Sequence, residues 1–447
     1  MLSSEQQKIV RNVAKKSLNK IDELLISQKL PNNGFSEGLL TQLLESLSAA
    51  DSNNFTDSVG GGEREGRIVC SLVERLHLGL SHGIGRSGNI AETQPKALGS
   101  SMLNSLANSM ALEVLHVLGL ESCKKALILP VCTGMALTLS LLTLKQLRPS
   151  TKYVIFSRID QKSCLKSIFA AGLIPIIVNQ TPTNPGTFCE LKINESNLEE
   201  AISSIKTSEI LCILSTTSCF APRVPDSLIL NGTFARKNGF FHLVNNAYGL
   251  QSPSIILQLS QALNSNLIDI FVQSTDKNFQ TPVGGSIISS SNKEMVIKVG
   301  KLYPGRASAI PSRDFLLTVL NLGKNGLLKM MEERNQVYAF LVEKMREFAA
   351  EIGEEIIEPE GNEISLVEEC KKLGGILFTR YKVTGTRVII SNGTVTNING
   401  IEFKNFGSHT NVSIVPYITV AAGVGMTKNE VENIVQRLRE CFCDIKN

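Results

Sequence analysis

The sequence predicts an α/β protein: a mostly parallel sheet sandwiched by helices, with an N-terminal helical extension and a small C-terminal α+β domain. Three observations predict it. Between 101 and about 290, short apolar runs alternate with segments of helical period, the pattern of strands joined by crossover helices. Before residue 50 the apolar positions recur at helical spacing, and after 305 a long helical pattern gives way to short strand-like runs and a terminal helix. At 447 residues, with 43% hydrophobic and 19% charged side chains, the chain can bury one large core and a smaller attached one. The expected division is 1–48, 49–305 and 306–447.

The extension comes first. Within 4–26, Ile9, Val10, Val13, Leu18, Ile21, Leu24 and Leu25 alternate with Lys8, Arg11, Lys15, Lys16 and Lys20, predicting a basic amphipathic helix. A packing helix with a solvated face explains it slightly better than direct RNA contact. "QKLPNNG" then interrupts the chain before a second helix at 39–47. Residues 51–100 differ in kind: "DSNNFTDSVGGGEREGR" and "HGIGRSGNIAETQPKALGSS" are glycine- and arginine-rich, with a short helix at 70–78 between them. Loops this long are usually functional or disordered, and these are too punctuated by apolar segments to be a linker.

The alternating region follows in order. A helix at 103–118 leads to strand "ALILPV", then "CTGM" and the apolar helix "ALTLSLLTLKQL". Strand "YVIF", helix "SCLKSIFAAG" and strand "PIIV" come next, then "ILCILS", a helix near 227–238, "FHLV" and "DIFVQS". Ligands of such sheets bind at the carboxyl ends of the strands, where each polar cluster of this region falls. Beyond "KLYPGRASAIPSRD" the pattern predicts a helix over 314–352, strands in "GILFTRYKV", "TRVII" and "IEFKNF", and a helix near 427–444.

The chemistry concentrates at those strand ends. Lys277 closes one strand after Ser274 and faces "TPVGG"; a desolvated lysine there can form a Schiff base with an aldehyde cofactor. A lone lysine is usually a solvated one, so companions decide. "VCTGM" passes from strand to helix, so the N–H groups of Thr133, Gly134 and Met135 can cradle a phosphate. "SRIDQKS" ends the next strand with Gln161 and Lys162, and "VNNAYG" ends a later one with Asn245, at the depth of a pyridine ring. Separately, Arg64, Arg67, Arg86, Ser87, Gln94 and Arg306 lie in glycine-flanked loops. Single loop arginines mostly make surface ion pairs worth ~0–1 kcal/mol. Several in separate glycine turns favour a second phosphate site, since a guanidinium grips phosphate through two prongs.

The order of phosphate loop, ring-facing loop, ring-nitrogen strand and lysine strand resembles the fold-type I transferases of pyridoxal 5′-phosphate. In that superfamily Asp usually stands where Asn245 does here, so the amide implies a weaker electron sink. The strings "DSNNF", "GEREGR", "HGIGRSG", "RIDQKSC", "STTSCFAPRVPD", "VNNAYG", "DKNF", "YPGRAS" and "SHTN", running from about 50 to 410, resemble the O-phosphoseryl-tRNA(Sec) selenium transferases, the eukaryotic and archaeal type. The resemblance implies pyridoxal phosphate on Lys277, phosphate elimination from O-phosphoseryl-tRNA(Sec) to give dehydroalanyl-tRNA, and selenium addition from selenophosphate. That is the last step of selenocysteine biosynthesis for protein biosynthesis. It further implies that Thr133, Gly134, Met135, Gln161, Asn245 and Ser274 hold the cofactor with Arg64, which reaches across a subunit interface of a homotetramer. Arg86, Ser87, Gln94, Arg306 and Lys162 are implied as substrate-phosphate residues, and Arg380 in "LFTR" as the reader of the tRNA discriminator base. Asn264 stands where the family carries a tRNA-contacting arginine.

Other classes fit less well. A phosphoseryl-tRNA:cysteinyl-tRNA synthase shares the fold type, and a cysteine desulfurase would need a loop cysteine, for which Cys219 is the nearest candidate and looks structural. A silent tRNA-binding protein would not need Lys277 with its companions. Ten scattered cysteines without a C-x-x-C pair predict reduced thiols and no metal site. A formal charge of +4 is too mild to indicate nucleic acid by itself. The polar N-terminus lacks an apolar core of a signal peptide, and no run suits a membrane span, so a cytoplasmic protein is expected.

Overall fold

The computed structural model of the chain describes residues 4–446 except 63–64, 185–186, 188, 218–219 and 370–375. Seven strands form the central sheet, in the spatial order Lys125–Leu129, Ser286–Ser290, Ile270–Ser274, Phe241–Asn245, Ile210–Thr216, Tyr153–Ser157, Ile174–Val178. Ser286–Ser290 runs antiparallel to both neighbours, and every other adjacent pair is parallel. The carboxyl ends of the six remaining strands therefore share one edge of the sheet, the edge that carries ligands in such folds.

The strands are almost wholly buried, as a sheet covered on both faces requires. On one face, Leu103, Leu106 and Met110 of helix Leu98–Val117 pack with Phe271 and Ile287. On the other, Leu137, Leu141 and Leu144 of helix Thr133–Leu147 pack with Leu127, Val272 and Ile288. The first helix, Ser4–Ser27, contributes Ile21 and Leu24 to the first of these cores. The second, Glu37–Ala49, is capped by the Ser36 side chain and adds Leu39, Leu43 and Leu47.

Helix Ile310–Ile352 crosses from the large core to a separate smaller one. It breaks its helical geometry at Gly323, whose φ of 62° is left-handed. The Pro31–Gly34 turn presses against that point, and a Cβ on Gly323 would come within 2.7 Å of the Asn33 backbone, so only glycine fits. The smaller core holds Leu341, Met345 and Phe348 against Val431, Val435 and Leu438 of helix Lys428–Lys446. It also covers an antiparallel sheet ordered Ile356–Ile357, Ser365–Glu369, Tyr417–Ala421, Arg387–Ile389.

The predicted elements of the sheet fall where the periodicity put them. One does not: within "GILFTRYKV", Ile376–Thr379 is a turn of helix rather than a strand. Its Leu377 is buried while Phe378 and Thr379 face out, and Val383 N–H closes back onto the Leu377 carbonyl at 3.0 Å. A nine-residue apolar-polar run mimics a strand whether or not a neighbouring strand is free to pair with it. Helices Glu195–Ile202, Pro253–Asn264 and Lys293–Leu302 and strands Ser286–Ser290, Ser365–Glu369 and Tyr417–Ala421 went unpredicted.

Candidate active site

Lys277 lies in the single helical turn Thr275–Phe279 that follows strand Ile270–Ser274. The turn is fastened on every side. Thr275 donates to the Gly285 carbonyl through its N–H at 3.2 Å and its hydroxyl at 3.0 Å. Asn278 Nδ2 donates to the carbonyls of Ser274 (2.7 Å) and Ala247 (3.0 Å), and Gln251 Nε2 donates to that of Lys277 at 2.7 Å. Phe279 stacks edge-on to Phe315. The double glycine opposite has a packing reason, since a Cβ on Gly285 would meet Thr275 Oγ1 at 2.6 Å. Ser274, the last residue of the strand, donates from Oγ to Asp276.

The lysine side chain is half-buried, and its Nζ sits 4.4 Å from the centre of the Tyr248 ring. Tyr248 follows strand Phe241–Asn245, the parallel neighbour of the lysine strand. Asn245 ends that strand fully inside. Its Oδ1 accepts from Ala247 N–H at 3.3 Å, which turns Nδ2 toward Cys164 Sγ at 3.2 Å. Burial pushes the Cys164 thiol up to about 11, against the opposing pull of Lys277, so it is a neutral acceptor. The carboxamide therefore has a fixed orientation and one Nδ2–H to spare.

Thr133 opens helix Thr133–Leu147, and its buried hydroxyl has no partner among the described residues. Met135 N–H is already taken by the Cys132 carbonyl at 3.0 Å. That leaves the N–H groups of Thr133 and Gly134 and the Thr133 hydroxyl as the candidate phosphate donors of the "CTGM" turn. Gly134 is also where this helix meets the next, because a Cβ there would stand 3.2 Å from Ser163 Cβ. Gln161 caps helix Lys162–Ala170 and is exposed, as is Lys162, whose Nζ lies 5.8 Å from the Phe406 ring centre.

Beneath Gln161 is a polar cluster that the sequence did not announce. Arg158 is fully buried, paired with Asp160 at 2.8 Å and 3.0 Å, and donates further to Asn179, Asn411 and the Lys404 carbonyl. Arg223 likewise pairs with Asp226 at 2.8 Å and reaches Ser157 Oγ. Burial would raise the Asp160 carboxyl, yet the paired Arg158 guanidinium and the backbone N–H of His409 outweigh it and hold it below the ordinary range. Burial drives His409 down to about 3, so this ring is neutral and accepts from Asp160 N–H through Nδ1 at 2.8 Å. These buried pairs lock the ends of strands Tyr153–Ser157 and Ile210–Thr216 where Gln161 leaves the sheet. Removing one partner of such a pair costs ~3–5 kcal/mol.

A second site lies between two loops. Ile84 and Ala307 exchange backbone hydrogen bonds at 2.9 Å and 3.0 Å, joining "HGIGRSG" to "PGRAS". Arg306 lines a cavity of about 560 Å³ there with Gly66, Arg67, His82 and Gly83. Arg86 and Ser87 form the adjoining turn, in which Arg86 and Asn89 bond each other's backbones (3.0 Å and 2.9 Å) and Ser87 takes a φ of 48°. Gln94 is half-buried, its N–H donating to Ser101 Oγ at 2.9 Å. Of the loop arginines expected at a second phosphate site, Arg67 and Arg306 line this cavity, while Arg86, Ser87, Gln94 and Lys162 are not among its lining residues. Arg64 and Cys219 fall outside the described residues. Arg380, in the smaller domain, is exposed, pairs with Asp444 at 3.0 Å and lies 5.6 Å from the Tyr381 ring centre. No group of metal-ligand side chains occurs among the described residues, and no helix there is long and apolar enough to cross a membrane. Tyr248, Cys164 and His82 were missed as site residues although each stood inside a quoted motif.

The profile of the O-phosphoseryl-tRNA(Sec) selenium transferase family matches residues 50–443. The chain belongs to that family. It is 42% identical to the O-phosphoseryl-tRNA(Sec) selenium transferase of Caenorhabditis elegans over 97% of this chain and 91% of that one. A crystal structure of an archaeal member of the family superposes with a TM-score of 0.90 at 26% identity, covering 98% of both chains. At 12% identity, a rice enzyme solved with pyridoxal phosphate and tryptamine shares the fold alone, with a TM-score of 0.57 over 100% of both chains. The family is one of transferases, and its fold is that of fold-type I enzymes.

Proposed function

We propose that the chain binds pyridoxal 5′-phosphate through Lys277 and converts O-phosphoseryl-tRNA(Sec) to selenocysteinyl-tRNA(Sec) with selenophosphate as selenium donor. The observation that carries this reading is the Lys277 amine 4.4 Å from the Tyr248 ring centre, on the strand beside a carboxamide of fixed orientation. The residues fit the cofactor: the unpartnered Thr133 hydroxyl at a helix start suits its phosphate, and the spare Nδ2–H of Asn245 suits an unprotonated ring nitrogen. When bound, the cofactor withdraws electrons from the substrate Cα.

The protein's own groups do the rest. Tyr248 shields the lysine amine from water on one side. Gln161 and Ser274 flank the ring, and Arg64 completes the site from a second copy. Arg306, assisted by Arg86, Ser87, Gln94 and Lys162, grips the substrate phosphate and stabilises the charge that grows as it departs. Helix Ser71–His77 buries none of its residues, and Leu72, Val73 and Leu76 are exposed, which supports covering by another copy in a homotetramer. The extension at 1–48 serves assembly, 49–305 the chemistry, and 306–447 the tRNA, where Arg380 reads the discriminator base.

The test is incubation of purified protein with phosphoseryl-tRNA(Sec) and selenophosphate, followed by identification of the released amino acid. Selenocysteine is expected from wild type and none from Lys277→Ala. Cysteine formed from a sulfur donor at a higher rate would move the assignment to the cysteinyl-tRNA branch.

A further inference from the structure

Arg306 shares its cavity with a second polar group. His82 is buried and is one of the residues lining the same cavity, and its Nε2 has no hydrogen-bond partner among the described residues. Arg306 Nε is buried and unpartnered in the same way. The two residues are tied together, since Arg306 Nη2 donates to the His82 carbonyl and the Ile84–Ala307 pairing holds their loops in register. A buried donor left unsatisfied is costly, so two on neighbouring residues of one cavity point to a partner that a ligand supplies.

The ring's charge state suits that role. Burial lowers the His82 pKa below the ordinary histidine value, Asp51 and Glu65 oppose, and Lys96 and Arg306 add to the lowering. At neutral pH the imidazole is uncharged and keeps one N–H to give. Such a donor adds direction to an anion site without a second charge to desolvate.

We propose that His82 is a substrate-binding residue, its Nε2–H donating to an oxygen of the phosphate monoester that Arg306 holds; this rests on the substrate-phosphate reading above. Arg306 supplies charge, and His82 fixes how the tetrahedral group is rotated in the cavity.

Inorganic phosphate is the probe, measured as a competitive inhibitor of phosphoseryl-tRNA turnover by the full-length, cofactor-loaded enzyme. Cofactor absorbance and oligomer size are recorded for each variant. His82→Ala is expected to weaken phosphate inhibition about tenfold or more with both controls unchanged. His82→Gln carries an N–H to the same space and is expected to stay within about threefold of wild type. Unaltered inhibition in His82→Ala overturns the proposal, as does a glutamine variant no better than alanine. Weakened inhibition in Arg306→Ala with an unaffected His82→Ala removes His82 alone, whereas indifference to both substitutions removes the phosphate site itself.

Discussion

The lysine turn and the glycine–arginine loops are built on opposite plans. Around Lys277 the backbone is tied to Gly285, Ala247 and Gln251 by bonds of 2.7–3.2 Å, and the neighbouring Asn245 has a set orientation. Around Arg306 the polar atoms are unsatisfied, Arg86 and Ser87 are exposed, and a nearby helix shows apolar side chains to solvent. The first region is tightly bonded within one chain. On the reading proposed above, the second is a half-site for an anion and another subunit. The contrast follows from the tasks: a covalent attachment point must be in place before substrate arrives, while a leaving group has to be gripped and then released.

Breaking the first region should have the larger effect. Lys277→Ala is expected to lower transfer by more than about a thousandfold, with loss of the cofactor's visible absorbance. Arg306→Ala acts on the second region alone: turnover should fall about a hundredfold while absorbance stays. Loss of absorbance in Arg306→Ala would erase the distinction between the regions. Gly285→Ala drives a Cβ to 2.6 Å from Thr275 Oγ1, so it should destabilise the turn by about 1–3 kcal/mol and weaken cofactor retention. A titration of cofactor release with a hydrazine, which traps the free aldehyde as its hydrazone, would detect it.

The remaining effect is set by pH and acts on stability alone. Burial holds His409 near 3 and His242 near 4 in the folded chain, both below the unfolded value of about 6.5. The unfolded state therefore binds more protons below pH 6.5, and stability is lost as pH falls through that value. By pH 5 the loss is about 2 kcal/mol per ring, readable in denaturant midpoints. His409→Gln should flatten the slope, and an unchanged slope in that variant would place the acid sensitivity elsewhere.

The cofactor region was the more legible in sequence, and the reason is local. A strand followed by "CTGM", "DQKS", "VNNAYG" or "TDKN" carries its candidate residue at or just past the strand end, so the pattern that locates the element also locates the candidate. Tyr248 and Cys164 were not assigned because their roles depend on which strands lie side by side. The buried Arg158 and Arg223 pairs were invisible because an arginine written in a row does not say whether Asn179 and Asn411 will fold over it. In the loops, the arginines were legible as a class, but only the Ile84–Ala307 pairing shows that Arg306 meets His82 at the cavity that Arg67 also lines. The strand expected in "GILFTRYKV" failed because Ile376–Thr379 closes into a helical turn and Val383 bonds back to Leu377, which an apolar–polar alternation does not reveal.

The most direct measurement is borohydride reduction of the cofactor-loaded protein, followed by peptide mapping of the fixed pyridoxyl group. A single adduct on Lys277 is the predicted result. An adduct on Lys162, or none, would contradict the account.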